Sequence, residues 1–510
     1  MVETLRIHLP GGRLLDLQPS PETSLTQALF LAGVRPGGGI CGGLGRCGRC
    51  RARFLAAPPE PVGDERDILS QAELDRGVRL ACRHPAGAGE VEMLNDFTTA
   101  PPKLRPLPEP ADALAVDLGT TSLCWSALAG SRVLAEGSEP NPQLGAGGEV
   151  MSRLALARAG HGERLASRVM ERLAALHEAV GGESKLLVLA ANPAMTYLAL
   201  GLDPVPLAEA PYHLVYSGGE TVEVGHGLPP VLIPPLPGPF IGSDALAGLL
   251  HLEEAQRPER PYLLLDMGTN GEFLLMLEDG SVLAASVPLG PALEGVGLSR
   301  GMLAGPGAVT RVRVDPGGAA TVRGGPAGIR PEVLDGGEPS GLSGTGYLSL
   351  LAELRRQGAV DSTGRFTPNA SPLAARLVAE DHAPVGGLRI PAADVEELLK
   401  VRAACRLALD DLLKAADLHP RGLRGVHLAG ALGEHVQPGD LVELGFIPRD
   451  ASGDFQAVGN AALRGAELLA CDPSALDRAR KLASTLRVVE GISHADYEKR
   501  FMEAMRFAHW

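Results

Sequence analysis

The sequence predicts a chain of several domains that combines the α+β and α/β classes. A short N-terminal region, residues 1–96, alternates strand and helix patterns around a group of cysteines. Residues 97–112 contain five prolines and no hydrophobic periodicity, which is typical of an extended, semi-rigid linker. After the linker, a pattern of three strands with a tight Asp-x-Gly-Thr or Gly-Thr-Asn turn occurs twice, once in 113–255 and once in 256–510. The length of 510 residues agrees with three such domains.

Composition and charge argue against several classes of function. Apolar residues make up 45% of the chain and charged residues 21%, so large cores can be buried. The chain has 47 Lys and Arg against 61 Asp and Glu, a net charge of −14, which argues against binding to nucleic acid or anionic membranes. No apolar stretch approaches the roughly 20 residues that span a bilayer, and the start lacks a signal-peptide pattern. We therefore expect a cytoplasmic protein whose partners are proteins or small molecules.

The N-terminal region predicts a hairpin, a helix and further strands. Apolar residues alternate over 5–9 before a Pro-Gly-Gly turn, which predicts a β-hairpin with one buried face. Residues 24–33 have apolar residues at helical spacing, with Ser24 as N-cap and Gly33 as stop signal. The segment CRARFL predicts a strand, DERDILSQAEL a helix, and Cys82 follows shortly afterwards.

Three of the seven cysteines lie in the glycine-rich segment GGGICGGLGRCGRC, residues 37–50. An odd number of mostly clustered cysteines predicts metal or redox chemistry rather than disulfides. Their spacing is C-x5-C-x2-C, and a fourth cysteine follows 32 positions after the third. Glycines let backbone N–H groups approach sulfur, and arginines add positive potential, so the segment suits a negatively charged cluster.

This element order and spacing resemble the 2Fe–2S ferredoxins of the β-grasp fold. The resemblance implies that Cys41, Cys47, Cys50 and Cys82 hold a 2Fe–2S cluster. A structural zinc ion on the same four thiolates is the alternative, although structural zinc sites usually pair their cysteines on both sides. The other three cysteines lie in apolar patterns and are predicted to be buried core thiols: Cys124, Cys405 and Cys471.

The repeated hairpin predicts two phosphate-binding turns. Such a turn presents successive N–H groups and short polar side chains to phosphate oxygens, and a preceding aspartate can hold hydrated Mg²⁺ or orient an attacking water. Asp117 and Asp266 are therefore the candidate catalytic and Mg²⁺-binding residues. The candidate phosphate-binding residues are Gly119, Thr120, Thr121 and Ser122 in the first copy, and Gly268, Thr269, Asn270 and Gly271 in the second. Two hairpins facing each other would clamp the phosphates of ATP.

Two further glycine pairs begin predicted helices. Gly430 and Gly433 follow a strand at 425–428, where an adenosine could bind, and Gly344 and Gly346 precede another helix. An ordinary strand-to-helix turn is the alternative for the pair Gly430 and Gly433. With the hairpins, the helix over 165–180 and the strand after it, the arrangement resembles two ribonuclease-H-like subdomains of the acetate and sugar kinase, heat-shock ATPase and actin (ASKHA) superfamily.

A ferredoxin-like domain joined by a proline-rich linker to such an ATPase resembles the reductive activators of corrinoid proteins. Further blocks match that family in order: NPQLGAGGEVMSR, NPAMTYLALGLDP, IGSDALAGLL, GPALEGVGLSRGMLAGPGAV, LAGALGEHVQPGDLVELGFIP and VGNAALRGA. Three positions depart from the expected pattern, where aspartate, histidine and lysine are expected: Glu149, Tyr197 and Arg402. An arginine near nucleotide could still contact phosphate or stack on adenine.

The resemblance implies ATP-dependent transfer of one electron from the cluster to a Co(II) corrinoid, restoring Co(I). It implies a corrinoid-containing methyltransferase or corrinoid protein as partner and an upstream low-potential electron donor, and leaves a homodimer open. Two other functions remain open on the sequence alone. One is an ASKHA-superfamily small-molecule kinase with a regulatory iron–sulfur domain, and the other is a ferredoxin-type electron carrier with a docking body.

Overall fold

The structure, a computed structural model, describes most of the chain. The described residues are 4–34, 43, 45, 48–63, 65–94, 107–295, 297–315, 328–451, 454–489 and 496–507. They form two compact units, of which the first comprises Met1–Asp244 with Ala466–Ser474 and the second Ala245–Gly465 with Ala475–Trp510. Within the described residues, no helix combines the length and the apolar character needed to cross a membrane.

The N-terminal part of the first unit is a mixed sheet covered by a helix. Its strands are β1 (Leu5–Leu9), β2 (Arg13–Leu17), β3 (Ser20–Ser24), β4 (Arg51–Phe54), β5 (Val78–Leu80), β6 (Pro85–Ala86) and β7 (Gly89–Met93). Its helices are α1 (Leu25–Leu31), α2 (Glu65–Ile68) and α3 (Gln71–Asp75). The main sheet has the order β2-β1-β7-β4-β5, with β1 and β7 parallel, as the β-grasp prediction requires.

Local sequence explains these elements and one difference from the prediction. The side chain of Ser24 caps α1 in a capping box with Gln27, as the predicted N-cap requires. The segment predicted as one helix is instead divided into α2 and α3. Ser70 forms a second capping box with Glu73, and this box starts a new helix where a continuous one was expected.

The rest of the first unit is built on a second sheet of six strands. Its strands are β8 (Ala113–Leu118), β9 (Ser122–Ala129), β10 (Arg132–Pro140), β11 (Leu186–Ala191), β12 (Glu220–Val222) and β13 (Val231–Ile233). The helices that follow β10 along the chain are α4 (Val150–Leu156), α5 (Gly162–Ala179), α6 (Pro193–Leu200) and α7 (Val205–Ala208). The next helix, α8 (Ser243–His251), begins at the end of this unit, and most of its residues belong to the second unit. The sheet order is β10-β9-β8-β11-β13-β12, and α5 buries Leu165, Val169 and Leu173 in its core, as its predicted apolar stripe requires.

The second unit repeats this architecture around a third sheet. Its strands are β14 (Tyr262–Met267), β15 (Asn270–Met276), β16 (Val282–Pro288), β17 (Ala308–Asp315), β18 (Gly328–Val333), β19 (Gly341–Leu342), β20 (His382–Val385), β21 (Leu388–Pro391), β22 (Gly425–Ala429), β23 (Asp454–Gly459) and β24 (Leu486–Val488). Its helices are α9 (Gly344–Arg356), α10 (Ala374–Leu377), α11 (Ala392–Ala415), α12 (Gly430–His435), α13 (Pro438–Leu444), α14 (Ala461–Cys471), α15 (Ala475–Thr485) and α16 (Tyr497–Ala504), where α14 runs on into the first unit. The main sheet has the order β23-β22-β14-β15-β16-β24.

The two larger sheets confirm the predicted repeat. In each, three antiparallel strands are followed by a parallel strand beside the first: β10-β9-β8-β11 in one unit and β16-β15-β14-β22 in the other. This is the strand arrangement of a ribonuclease-H-like subdomain. Parallel neighbours bring the carboxyl ends of β8 and β11, and of β14 and β22, to one edge of each sheet.

The prediction for the isolated cysteines is confirmed for only one of them. Cys405 is fully buried, and burial raises the pKa of its thiol. Cys124 and Cys471 are half-buried, so the prediction that they are core thiols is wrong. Strand alternation places Cys124 on the less covered face of β9, and Cys471 ends α14, where its thiol meets the carbonyl oxygen of Gly130.

Candidate functional site

The first predicted phosphate-binding turn joins β8 to β9 and is hydrogen-bonded to Asn141. Asp117 is half-buried near the end of β8, and β9 begins at Ser122. The side chain of Asn141 donates from Nδ2 to the carbonyl oxygen of Gly119 over 2.6 Å. Its backbone N–H donates to the carbonyl oxygen of Thr121 over 2.9 Å. These two hydrogen bonds hold the turn through the carbonyl oxygens of Gly119 and Thr121.

Arg153 and Asn192 hold the same turn from the protein interior. Arg153 is fully buried, and its guanidinium donates to the carbonyl oxygens of Thr120, over 2.7 Å, and Gly147, over 2.8 Å. Asn192 donates from Nδ2 to Thr120 Oγ1 over 3.2 Å and also caps α6 by accepting from the N–H of Met195. A buried positive charge therefore lies directly behind the turn, which favours an anion there.

Residues 242–243 close the same edge of the sheet. The hydroxyl of Ser243 accepts from the N–H of Ala191 over 2.9 Å and donates to the carbonyl oxygen of Ala191 over 3.1 Å. A Cβ on Gly242 would collide with Cα of Asn192, so only glycine fits at this position. Residues 242–243, within the block IGSDALAGLL, thus have a local packing role beside the predicted turn.

Sequence reasoning missed these supporting residues. Neither their charge nor their periodicity marks them, because they act through backbone groups that are distant in the chain. One signal was available: Asn141 and Asn192 each precede a proline directly after a strand. An asparagine at such a strand end is a natural cap or turn residue.

In the second unit, three of the predicted segments meet at one sheet edge. Asp266 lies opposite Ala429 in the parallel pair β14–β22. The N–H of Gly268 donates to the carbonyl oxygen of Asn270 over 2.9 Å and closes the predicted turn. Gly430 has a φ of +78°, and a Cβ added to it would lie 2.6 Å from Oδ1 of Asp266. The second turn, its aspartate and the glycine-rich start of α12 are therefore neighbours.

The remaining predicted glycines pack against protein backbone. A Cβ on Gly344 would collide with the carbonyl group of Leu293, and one on Gly346 with that of Val309. A Cβ on Gly433, in α12, would lie 2.7 Å from the backbone carbonyl carbon of Leu428 in β22. These contacts within the protein account for the presence of glycine at all three positions.

In the structure, the side chain of Arg402 binds backbone carbonyl groups of the protein. It is buried in α11, and its Nε donates to the carbonyl oxygen of Leu444 over 2.9 Å. Its Nη1 donates to the carbonyl oxygens of Ala504 and of Arg506, the latter over 2.6 Å. Burial lowers the pKa of this guanidinium to about 10. The residue therefore ties α11 to the C-terminal segment.

The other two departures from the family pattern also have local roles. The hydroxyl of Tyr197, a fully buried residue, accepts from the backbone N–H groups of Val215 and Tyr216, over 2.8 and 2.9 Å. Glu149 is the N-cap of α4, and its side chain makes no capping hydrogen bond. Neither observation connects these side chains to the predicted phosphate turns.

Two of the four predicted cluster cysteines lie in the described part of the chain. Sγ of Cys50 and Sγ of Cys82 are 3.3 Å apart without a disulfide. Thiolates that share one tetrahedral metal with metal–sulfur distances of about 2.3 Å lie about 3.8 Å apart, so this pair is about 0.5 Å closer than the two sulfurs would be around a bound metal. Cys41 and Cys47 fall outside the described residues. Within the described residues, no group of three or more His, Cys, Asp or Glu is arranged to hold a metal ion.

A buried carboxylate organises the chain on both sides of Cys82. Glu65 is 1% exposed and accepts from the N–H of Leu80 over 2.6 Å and from the N–H of Val62 over 2.9 Å. It also contacts Nε2 of His84 over 2.9 Å. These contacts hold the segment that carries Cys82 independently of any metal.

Two family models match the chain. The model described as the RACo middle region matches residues 113–256. The model described as the C-terminal domain of RACo, the ASKHA domain, matches residues 260–510. Together they span most of the chain.

Named relatives and a solved structure are similar as well. The chain is 28% identical over 399 residues to the corrinoid activation enzyme RamQ of Eubacterium limosum, covering 71% of this chain and 64% of the relative. It is 30% identical over 280 residues to the [Co(II) methylated amine-specific corrinoid protein] reductase of Methanosarcina barkeri, covering 50% and 47%. The matches thus span less than two thirds of either relative. A solved structure described as a reductive activator for corrinoid,iron-sulfur protein shares the fold, with a TM-score of 0.66, 22% identity, and 99% and 98% of the two chains covered.

Proposed function

The chain belongs to the RACo family, because two models of that family account for most of its length, and we propose that it is an ATP-dependent reductive activator. Its substrate is the Co(II) corrinoid of a partner, either a corrinoid-containing methyltransferase or a corrinoid protein, which it returns to Co(I). The observation that carries the proposal is the combination of an ASKHA-type body with the Cys50–Cys82 thiol pair in one chain. The names of the two relatives, a corrinoid activation enzyme and a Co(II) corrinoid protein reductase, support it.

The ASKHA fold supports ATP as the nucleotide. We assign phosphate binding to the turns 119–122 and 268–271, and Mg²⁺ with catalysis to Asp117 and Asp266. Gly430, which follows β22 and begins α12, is the proposed adenosine-side residue. Its positive φ and the adjacent Asp266 carboxylate leave no room for a side chain. The buried guanidinium of Arg153 behind the first turn supports binding of an anion there.

We propose a 2Fe–2S cluster held by Cys41, Cys47, Cys50 and Cys82. Such a cluster supplies single electrons at low potential when bound. The side chain of Arg51 donates to the carbonyl oxygen of Gly48, and the Arg83 side chain packs against Gly45, so positive charge lies close to the cysteine segment. This charge favours an anionic centre.

The reaction requires partners beyond the corrinoid protein. Each Co(II) that becomes Co(I) consumes one electron, so a low-potential electron donor must reduce the proposed cluster again after each transfer. Reduced thiolates are kept in the cytoplasm, and we propose that compartment for the protein. Nucleotide binding with micromolar affinity is worth about 8 kcal/mol, enough to favour one arrangement of the protein with its partner over another.

The test combines two measurements on anaerobically prepared full-length protein. Iron, sulfide and EPR analysis first identifies the metal centre. The visible spectrum of a Co(II) corrinoid protein is then followed with reductant, with and without MgATP, and with the Asp266→Asn variant as a matched protein control. We expect a 2Fe–2S signal and Co(I) that forms only with MgATP and the unaltered protein. Zinc in place of iron, or Co(I) formation that is indifferent to nucleotide, would contradict the proposal.

A further inference from the structure

Within the first unit, helix α1 of the N-terminal domain packs directly on the part of the unit that carries the first phosphate turn. Gln27 donates from Nε2 to the carbonyl oxygen of Ala146 over 3.0 Å. From the other side, Arg164 of α5 donates from Nε to the carbonyl oxygen of Leu31 over 3.0 Å. Phe30 is 1% exposed and belongs to the same hydrophobic core as Ala146. The N-terminal domain therefore has a specific docked position within this unit.

The interface is close-packed around the end of α1. A Cβ on Gly33 would lie 2.8 Å from Nη2 of Arg168, and the guanidinium of Arg168 lies 6.0 Å from the ring centre of Phe30. A cavity of about 70 Å³ remains beside these residues, lined also by Asn141 and Leu144. Because Gln27 and Arg164 each make a direct hydrogen bond across the interface, a change at either residue alters the contact between α1 and this surface.

The surface that receives α1 is also the support of the phosphate turn. Ala146 ends a short 3₁₀ turn, Leu144–Ala146, whose first N–H donates to the carbonyl oxygen of Asn141 over 3.0 Å. Asn141 in turn binds the carbonyl oxygens of Gly119 and Thr121. The next residue, Gly147, accepts from the same Arg153 that binds Thr120. One segment, residues 141–147, thus contacts α1 on one side and the turn on the other.

Helix α1 is likewise hydrogen-bonded to the segment that carries Cys82. The N–H of Leu25, its first residue, donates to the carbonyl oxygen of His84 over 2.9 Å. His84 lies two residues after Cys82 and is held by the buried carboxylate of Glu65. A continuous set of hydrogen bonds therefore runs from the Cys82 segment through α1 and residues 141–147 to the phosphate turn.

We propose that docking of the N-terminal domain and nucleotide binding at the 119–122 turn are thermodynamically linked through residues 141–147. Gln27 is then a positioning residue for the turn, although it lies in the other domain. The docked domain steadies the segment that holds the turn, so undocking weakens nucleotide binding. By reciprocity, nucleotide strengthens docking by the same factor. The inference rests on the proposed function only in requiring that the chain bind nucleotide.

The test uses Gln27→Glu in the full-length chain, without added cluster or partner. Glutamate keeps an oxygen for the capping box with Ser24, whose N–H donates to Gln27 Oε1 over 3.0 Å, but it replaces the donor facing the Ala146 carbonyl with a carboxylate oxygen. The matched control is Gln18→Glu, the same chemical change at an exposed residue of the same domain. Calorimetry gives the Kd for MgATP, and hydrogen exchange reports on the amides of 25–31 and 141–147.

We expect Gln27→Glu to raise the Kd for MgATP about fivefold or more, within the usual range of allosteric coupling, while Gln18→Glu stays within twofold of the wild type. MgATP should slow exchange of α1 amides in the wild type and much less in Gln27→Glu. Arg164→Gln, which alters the interface from the other side, should produce the same two changes, so that misfolding of one domain cannot imitate the result.

Two results would overturn the linkage. One is faster exchange of α1 in both variants with an unchanged Kd, since docking would then be independent of nucleotide. The other is an unchanged exchange pattern of α1 in Gln27→Glu, since Gln27 would then not hold the domain. If the wild type binds no nucleotide, the proposed function itself fails, and that outcome is distinct from both.

Discussion

Gly430 lies directly against the carboxylate of Asp266: a Cβ at residue 430 would stand 2.6 Å from Oδ1. Asp266 lies on β14, and Gly430 directly follows β22, a strand that is far from β14 in sequence but adjacent and parallel to it in the sheet. The positive φ of Gly430 turns the chain into α12 at this point. The candidate residues of the second unit are therefore arranged by backbone geometry as well as by a charged side chain.

Gly430→Ala should damage nucleotide binding more than it damages stability. An alanine must adopt a left-handed conformation, which costs about 1–2 kcal/mol, and its methyl group must displace the Asp266 carboxylate. We expect at least a tenfold weaker MgATP affinity, measured by calorimetry. Gly358→Ala is the matched control, because Gly358 has a φ of +67° and its added Cβ would meet nothing within 4 Å. Equal losses of affinity in the two variants would contradict the assignment of Gly430.

Cys82→Ser should abolish assembly of the 2Fe–2S cluster. Serine is a much poorer ligand for cluster iron than a thiolate, and Cys82 lies 3.3 Å from its neighbour Cys50. After anaerobic reconstitution, iron and sulfide content and the EPR signal of the reduced protein should fall to background. Cys124→Ser, at a half-buried cysteine of the first unit, should leave all three unchanged. A normal signal in Cys82→Ser would remove Cys82 from the ligand set.

Arg402→Lys should affect stability and leave nucleotide binding intact. Lysine cannot reach the three carbonyl groups that the Arg402 guanidinium binds, so buried acceptors lose partners at a cost of about 2–3 kcal/mol. Urea unfolding measures the loss, and calorimetry with MgATP should give the wild-type Kd. Arg421→Lys, at an exposed ion pair with Asp450, should change the free energy of unfolding by under about 1 kcal/mol. A large loss of nucleotide affinity in Arg402→Lys would restore the nucleotide role that the sequence suggested.

The sequence predicted the repeated hairpins and the N-terminal hairpin because their determinants are local. Alternating apolar residues fix which face of β1 is buried, and turn glycines fix where strands end. The division between α2 and α3 was equally local, since the pattern of Ser70 and Glu73 is a capping box. It was missed because the surrounding residues are all acceptable in a helix.

The supports of the candidate site could not be predicted in the same way. Arg153 binds a carbonyl 33 residues earlier in the chain, and Arg402 one 104 residues later. Backbone acceptors carry no side-chain signature, so nothing in the sequence marks either contact. The docking of Gln27 on Ala146, 119 residues away, is hidden for the same reason. The sequence identifies residues with suitable chemistry. It does not identify the backbone groups that hold those residues in place.

We expect the buried side chain of His427 to make the folded protein less stable in acid. It is 4% exposed on β22, its ring lies edge-on to Tyr262 at 5.4 Å, and neither ring nitrogen has a hydrogen-bond partner among the described residues. Burial lowers its pKa to about 4. Because the unfolded chain takes up a proton near pH 6.5 and the folded one does not, stability is complete above pH 6.5 and falls as pH drops toward 4. The loss amounts to roughly 3–4 kcal/mol, since the two pKa values differ by about 2.5 units and each unit is worth about 1.4 kcal/mol.

His427→Leu should remove this part of the pH dependence, because leucine fills a similar space and takes up no proton. We expect the free energy of unfolding, from urea titrations at pH 7.5 and pH 4.5, to fall less on acidification in His427→Leu than in the wild type. At pH 7.5 the variant should be at least as stable, since it buries no unpartnered polar atoms. His226→Leu, at an exposed histidine, should keep the wild-type acid loss. An unchanged acid loss in His427→Leu would mean that carboxylates, and not this buried imidazole, set the lower pH limit of the fold.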